Sequence, residues 1–382
     1  MKFSTRAIHV GNRCDAETGA VVPLVHFAST IVQPGAGEWG RFDYSRSGNP
    51  TRDNVEQTIA SLERGTHALA FSTGLSAIHC ATMLLQQGDQ IVAGTDIYGG
   101  TYRLLHHIVN RTGVDVSLAP ANDLDALAEC ITPRTKLMWI ESPGNPLMSI
   151  ADIAACAQLA EEHDLLLGVD STFATPVLTQ PLELGADIVM HSATKFLGGH
   201  SDLVGGVLVV KDEELRDRLY FIQNATGAVL SPMDCFLLGR GLKTLEIRVR
   251  RQCETAAALA EFLRDDHRVR RVLYPGVEDH PGHAIAARQM HDGFGAMLSL
   301  ELDADFAAAK RMVDSTRLFQ LAVSLGAVES LIEQPASMSH ASYDAEDRAK
   351  HGISDSLVRL SVGLEDVEDL REDLNQALGS MA

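Results

Sequence analysis

The chain lacks the short features that would place it in a specialised class. Its six cysteines, Cys14, Cys80, Cys130, Cys156, Cys235 and Cys253, stand at irregular spacings with no C-x-x-C pair. Neither a zinc site nor a disulfide framework is therefore expected, and reduced, mostly buried thiols are. No apolar run approaches the roughly eighteen residues of a membrane span, and MKFSTRAIHV has no apolar stretch of the kind a secretory signal carries. Positive charge is scarce: 32 Lys and Arg stand against 51 Asp and Glu, a formal net charge of -19. That balance argues against nucleic acid or an anionic membrane as a partner. A G-x-x-x-x-G-K-S/T phosphate loop is also missing. A cytoplasmic protein with a small-molecule partner, and no nucleic acid, membrane or metal, is the expectation.

What remains is ordinary globular composition, 45% hydrophobic and 22% charged over 382 residues, enough chain for two or three domains with real cores. Residues 1–46 are rich in turn formers and read as an extended arm. TRDNVEQTIASLERG then reads as an amphipathic helix closed by Gly65. Short apolar runs follow at QIVAG, VDVSLA, KLMWIES, LLLGVD and ADIVMHS, separated by helical stretches. This pattern predicts parallel strands in an α/β fold. Ser149, with Asp152 three residues on, reads as a capping-box start for the helix ADIAACAQLAEEHD. After VGGVLVVK (204–211) the texture changes. RGLKTLEIRVRRQCETAAALAEFL reads as one helix over roughly 240 to 263, and VRRVLYPG, GAMLSLEL and LVRLSVG read as strands. An acidic amphipathic helix, EDVEDLREDLNQAL, follows. The division expected is an arm (1–46), an α/β domain with a mostly parallel sheet (47–231) and a smaller α+β domain (232–382).

Six stretches carry chemistry. HSATKFLGGHSD (191–202) follows a strand end and gathers Ser192, Thr194 and Lys195 before paired glycines. Hydroxyls and flexible backbone suit an anion, and a lysine amine forms an imine with an aldehyde once it is neutral. FSTGLSAI (71–78) puts Ser72, Thr73 and Gly74 before a helix, where they fit either a plain cap or a phosphate cradle. Asp170 ends the apolar run LLLGV, where a carboxylate is costly unless it is paired. It fits a turn cap or a partner for a pyridinium nitrogen. Tyr98 precedes two glycines in DIYGGTYR, where its ring could stack on a flat ring or simply pack. Tyr44 and Arg46 in YSRSGNPT suit a phosphate or a solvated loop, and their place on an arm suggests reach toward another subunit. Arg359 in LVRLSVG needs an anion if buried, either an internal carboxylate or a substrate's. Phosphate cradle, amine, ring partner, stacking aromatic and carboxylate clamp together match pyridoxal 5′-phosphate acting on an amino acid.

The sequence resembles the Cys/Met-metabolism family of pyridoxal-phosphate enzymes, of fold type I, over nearly its whole length. The stretches that carry the resemblance are YSRSGNPTR, STGLSAI, YGGT, ESPGNP, VDSTFATPVL, HSATKFLGGHSD, RGLKTL, YPG, GFGAMLSL, LAVSLGAVESLIEQPASMSHAS and GISDSLVRLSVGLEDVEDL. The resemblance implies Lys195 as the Schiff-base lysine, Asp170 paired with the pyridinium nitrogen and Tyr98 stacked on the ring. It also implies Thr73, Gly74, Leu75, Ser192 and Thr194 around the phosphate, with Tyr44 and Arg46 reaching the phosphate of a neighbouring subunit. Asn145 would contact the ring hydroxyl or the substrate carboxylate, with Glu141 nearby, and Ser324 and Arg359 would hold that carboxylate. A homotetramer with active sites shared between subunits is implied as well.

The implied reaction is γ-elimination of the sulfur amino acid cystathionine to cysteine, 2-oxobutanoate and ammonia, Lys195 moving protons and Tyr98 protonating the leaving thiol. The family's β-elimination, γ-replacement and methionine γ-elimination stay open, as does, from another class, a cofactor-binding protein without catalysis. The sequence departs from the family pattern at Ser171, Phe196, Gly144, Gly100 and Val323. Gly100 stands where many methionine γ-lyases carry Cys, and Val323 where several γ-lyases and γ-synthases carry Glu.

Overall fold

The computed structural model describes residues 1–339, 341, 348 and 352–381. His340 and Ser342, at the end of one matching stretch, lie outside them. Twelve strands form two sheets among these residues. The first seven are β1 (His67–Phe71), β2 (Gln90–Gly94), β3 (Asp115–Ala119), β4 (Thr135–Glu141), β5 (Leu166–Asp170), β6 (Ile188–Ser192) and β7 (Gly206–Val210). They lie in the order β1-β7-β6-β5-β4-β2-β3, with β2 to β6 paired in parallel and β7 antiparallel to both β6 and β1. The expected strands thus fall where the apolar runs are, because a parallel sheet covered by helices buries both faces and selects Val, Ile and Leu at successive positions. Val92, Val169, Val189 and Val207 pack on one face; Ile91, Leu137, Met190 and Leu208 pack on the other. Gly168 admits no side chain, since a Cβ there would stand 2.4 Å from the Trp139 ring.

The second sheet joins β8 (Val269–Leu273), β9 (Met297–Leu302), β10 (Gln320–Leu321), β11 (Leu331–Glu333) and β12 (Leu357–Ser361) in the order β10-β11-β12-β9-β8. A helix over Leu245–Arg264 bridges the two cores. Leu245, Val249 and Cys253 pack under the large sheet, and Ala256, Leu259 and Leu263 under the small one. No helix of the described residues is long and apolar enough to cross a membrane.

Four local expectations are corrected. The arm opens with a short helix, Phe3–His9, that packs on the helix Pro50–Leu62. Asn49 caps that second helix through its side chain, and at its far end Arg64 takes the left-handed conformation (φ 61) while the Gly65 N–H closes on Ala60 O. Gly65 is small for another reason: a Cβ there would meet Val209 at 2.5 Å. Ser149 caps nothing. Its hydroxyl is drawn to the Asp96 carboxylate, and Asp152, adjacent to the first turn, accepts from Ala155 N as the N-cap of Ile153–Glu162. Finally, the single helix expected over 240 to 263 is two, Pro232–Leu242 and Leu245–Arg264, broken at Lys243 and Thr244.

Candidate active site

The parallel strands end in register, Glu141 opposite Asp170 and Asp170 opposite Met190. Their carboxyl ends are where an open α/β sheet presents functional groups. A cavity of about 480 Å³ opens there. A larger groove, about 1020 Å³, lies at the amino ends of the strands among solvated charged residues such as Asp89, Lys136 and Glu161. The cavity brings together Thr73, Gly74, Leu75, Tyr98, Asn145, Asp170, Ser192, Thr194, Lys195, Ser324 and Arg359, residues from across the chain. Ser72 is exposed and is not among its lining residues. Tyr44 and Arg46 lie away from it, exposed on the arm, with the Arg46 guanidinium 5.3 Å over the Tyr44 ring and Arg46 Nε donating to Asn224 Oδ1.

Lys195 sits on a turn that follows β6 directly. Within the turn Lys195 N donates to Ser192 O, Gly198 N to Ala193 O and Gly199 N to Lys195 O. Arg248, which is buried, fixes the turn from behind. Its Nη1 donates to Phe196 O at 2.8 Å, its Nη2 to Gly241 O at 2.9 Å and its Nε to Thr244 Oγ1 at 3.2 Å. The named partners are carbonyl and hydroxyl oxygens, and burial pulls the guanidinium down to about 10. This docking explains the helix break: Gly241 approaches so closely that a Cβ would stand 2.4 Å from Gly198 O. Replacing Arg248 with methionine strands those oxygens. Chemical denaturation is expected to show a loss of at least about 3 kcal/mol, two charge-assisted hydrogen bonds, with Arg248→Lys recovering part of it.

The Lys195 amine donates to Ser324 Oγ at 2.5 Å. Burial first, and the Arg359 charge second, lower its pKa to about 8, against the pull of Glu333. The neutral, nucleophilic amine therefore accumulates as pH rises through about 8 instead of 10.5. In cofactor-free protein, labelling of Lys195 by an amine-reactive ester should accelerate with a midpoint near pH 8, while surface lysines follow near 10.4. Ser324 adopts φ 88, a left-handed conformation that costs a non-glycine residue about 1–3 kcal/mol. It is held there by Arg359 Nη2 donating to Ser324 O at 2.9 Å and by Gly326 N donating to Ser361 Oγ.

Arg359 is itself buried. Nη1 donates to Asn145 Oδ1 at 2.8 Å and stands 3.1 Å from Glu333 Oε1, while Nε has no partner. An unpaired buried N–H beside Nη2 is one edge of a guanidinium ready for a bidentate carboxylate. Glu333 was not expected from the sequence. The only sign was an acid following the apolar run in SLIE, and its position opposite Arg359 across β11 and β12 appears only in the fold.

Two buried carboxyls stand side by side at the ends of β4 and β5. Burial raises both; Asp170 is eased back because Thr172 N and Oγ1 donate to its Oδ1 at 3.0 and 2.5 Å. Glu141 is raised well above the carboxylate range by burial and then by the Asp170 charge. Burial thus acts on both, while the two hydrogen bonds from Thr172 favour the charged form of Asp170. Glu141 Oε2 also accepts from Tyr98 N at 2.8 Å, fixing the start of the helix Gly99–Leu104 and with it Tyr98.

Pyridoxal phosphate fits these groups. In the helix Gly74–Thr82 the cap Thr73 satisfies Ser76 N through Oγ1, and the N–H groups of Gly74 and Leu75 have no intrahelical acceptor. Those donors, with Ser192 and Thr194 lining the same cavity, would suit an anion such as a phosphate. A Cβ at Gly74 would press on Met190 at 2.9 Å and Ser192 at 3.2 Å. Asp170, buried and with its charged form favoured by Thr172, suits a ring cation, and Lys195 offers the amine.

Fold and site together define a pyridoxal-phosphate-dependent enzyme of fold type I. The chain belongs to the family described as Cys/Met metabolism PLP-dependent enzymes, whose model matches residues 4–379. It is 51% identical to the cystathionine gamma-synthase of Mycobacterium tuberculosis over 98% of this chain and 96% of that one. It is 49% identical to the cystathionine beta-lyase MetC of Bacillus subtilis, over 100% and 97%. A solved structure of cystathionine gamma-lyase from Lactobacillus plantarum, complexed with L-serine, superposes with a TM-score of 0.96 at 44% identity, covering 100% of this chain and 99% of that one.

Proposed function

We propose that the protein cleaves cystathionine by γ-elimination, taking cystathionine and water to cysteine, 2-oxobutanoate and ammonia. One observation carries the α-carbon chemistry of this reading: base and clamp meet at a single residue. Ser324 Oγ accepts from the Lys195 amine while Ser324 O accepts from Arg359. An amino acid whose carboxylate pairs with the Arg359 guanidinium therefore presents its α-carbon to Lys195.

When bound, pyridoxal phosphate supplies an aldehyde for the amine and a ring that takes up the electron pair left at the α-carbon. Thr73, Gly74, Leu75, Ser192 and Thr194 would hold its phosphate, Asp170 its ring nitrogen and Asn145 its ring hydroxyl. Lys195 takes the proton from Cα and moves a second from Cβ, a role that needs the neutral amine the burial favours. Tyr98, half exposed over the cavity, delivers a proton to the departing sulfur. Relatives named for γ-lyase, β-lyase and γ-synthase activities support a cystathionine skeleton as the substrate class.

The assembly proposed is a homotetramer in which Tyr44 and Arg46 reach a neighbour's phosphate. In support, both face outward, and the arm exposes Val32, Trp39 and Phe27 at 95%, 75% and 64%, more apolar surface than a free arm keeps in water. Unpaired cysteines suit a cytoplasmic location. Residues 47–231 and 232–382 would form the cofactor-binding and smaller domains.

Supplying cystathionine alone and identifying the keto acid tests the reaction. 2-Oxobutanoate with cysteine is the expected result. Pyruvate with homocysteine would replace the reading with β-elimination, and cystathionine formed only from an acylated homoserine and cysteine would replace it with γ-replacement.

A further inference from the structure

We propose that Glu333 is a positioning residue that orients Arg359 and tempers its pull on a substrate carboxylate. The inference rests on the reading of Arg359 as the carboxylate clamp and goes beyond it, because it concerns how strongly the clamp holds.

Glu333 and Arg359 face each other in register on β11 and β12, at 1% and 4% side-chain exposure. Glu333 Oε1 is shared between Arg359 Nη1 at 3.1 Å and Ser339 Oγ at 2.7 Å. Its other oxygen, Oε2, is buried with no hydrogen-bond partner. For a purely structural contact this is a poor choice. A buried carboxylate with one bare oxygen bears a large desolvation cost, and glutamine would offer the same acceptor to Arg359 and Ser339 without the charge. The negative charge itself is what glutamine cannot supply.

Two consequences follow from where that charge sits. Arg359 meets an arriving carboxylate already half neutralised, so substrate and product carboxylates bind less tightly than to a lone buried guanidinium and can leave. The same charge opposes the acidifying effect of Arg359 on the Lys195 amine. Among the described residues the other ionisable groups lining that cavity are Tyr98, Glu141, Asp170 and Arg103, and the charges that move Lys195 are those of the Arg359 and Glu333 pair on the small sheet.

The test uses propionate, a carboxylate without an amine, titrated calorimetrically into cofactor-loaded protein, together with the pH midpoint of Lys195 labelling in cofactor-free protein. Glu333→Gln is expected to tighten propionate roughly tenfold and to lower the labelling midpoint by about one pH unit, the scale of one charge at close range. Glu333→Asp, which keeps the charge, should stay near wild type in affinity. Unchanged affinity and midpoint in Glu333→Gln would overturn the proposal, as would equal tightening in Glu333→Asp, or weakening in both. Arg359→Leu separates the two ideas. If it binds propionate as well as wild type does, the clamp reading itself fails and Glu333 has nothing to temper. If it loses propionate while Glu333→Gln is silent, only the Glu333 proposal fails.

Discussion

Lys195→Ala is expected to fold and to form 2-oxobutanoate from cystathionine at least about 10⁴-fold more slowly than wild type. General acid–base catalysis contributes about 10² to 10⁴, and the loss should reach at least its upper end because the same amine would also be the nucleophile toward the cofactor. The fold should tolerate the change. Lys195 is only half-buried, its hydrogen bond goes to one hydroxyl, and the turn that carries it is held by Arg248 and by backbone bonds independent of the amine. Stopped assays for the keto acid, beside thermal unfolding of both proteins, separate a chemical defect from a folding one.

Asp170→Asn is the second large effect. The carboxyl is buried and accepts twice from Thr172, contacts that favour its charged form. Asparagine preserves the acceptor for Thr172 and removes the charge that a ring cation needs. An unpaired buried charge costs about 3–5 kcal/mol, so turnover should fall roughly 10²- to 10⁴-fold, and the cofactor should be lost more readily on dialysis. Cofactor-free Asp170→Asn should be no less stable than cofactor-free wild type, because a buried carboxyl lacking a cation has been replaced by a neutral group. A variant that keeps full turnover would remove Asp170 from the ring-nitrogen role.

What could be read in advance follows from whether a feature is local. The parallel strands were legible because burial on both faces leaves a continuous apolar run: all five residues of QIVAG are buried. Lys195, Asp170 and Tyr98 were legible because each stands at the end of such a run or in the glycine-rich turn beyond it. The break at Lys243 and Thr244 was not, since its cause is the fit of Gly241 and Arg248 onto a turn far away in the chain. Ser149 misled for the same reason. Its cap pattern is sound locally, and a distant carboxylate, Asp96, outcompetes it. Glu333 gave almost no sign, because an acid after LI is unremarkable until β12 brings Arg359 opposite. The outward pair Tyr44 and Arg46 was readable only as a phosphate-suited pair on an arm or a solvated loop, because among the described residues no group of this chain's own cavity meets them.

The proposed chemistry requires the cofactor to be carried on the amine of Lys195. Borohydride reduction of the holoenzyme, followed by digestion and mass mapping, locates the attachment. The pyridoxyl mass is expected on the peptide containing HSATKFLGGHSD, at Lys195. Its appearance on another lysine, or on none, would contradict the account.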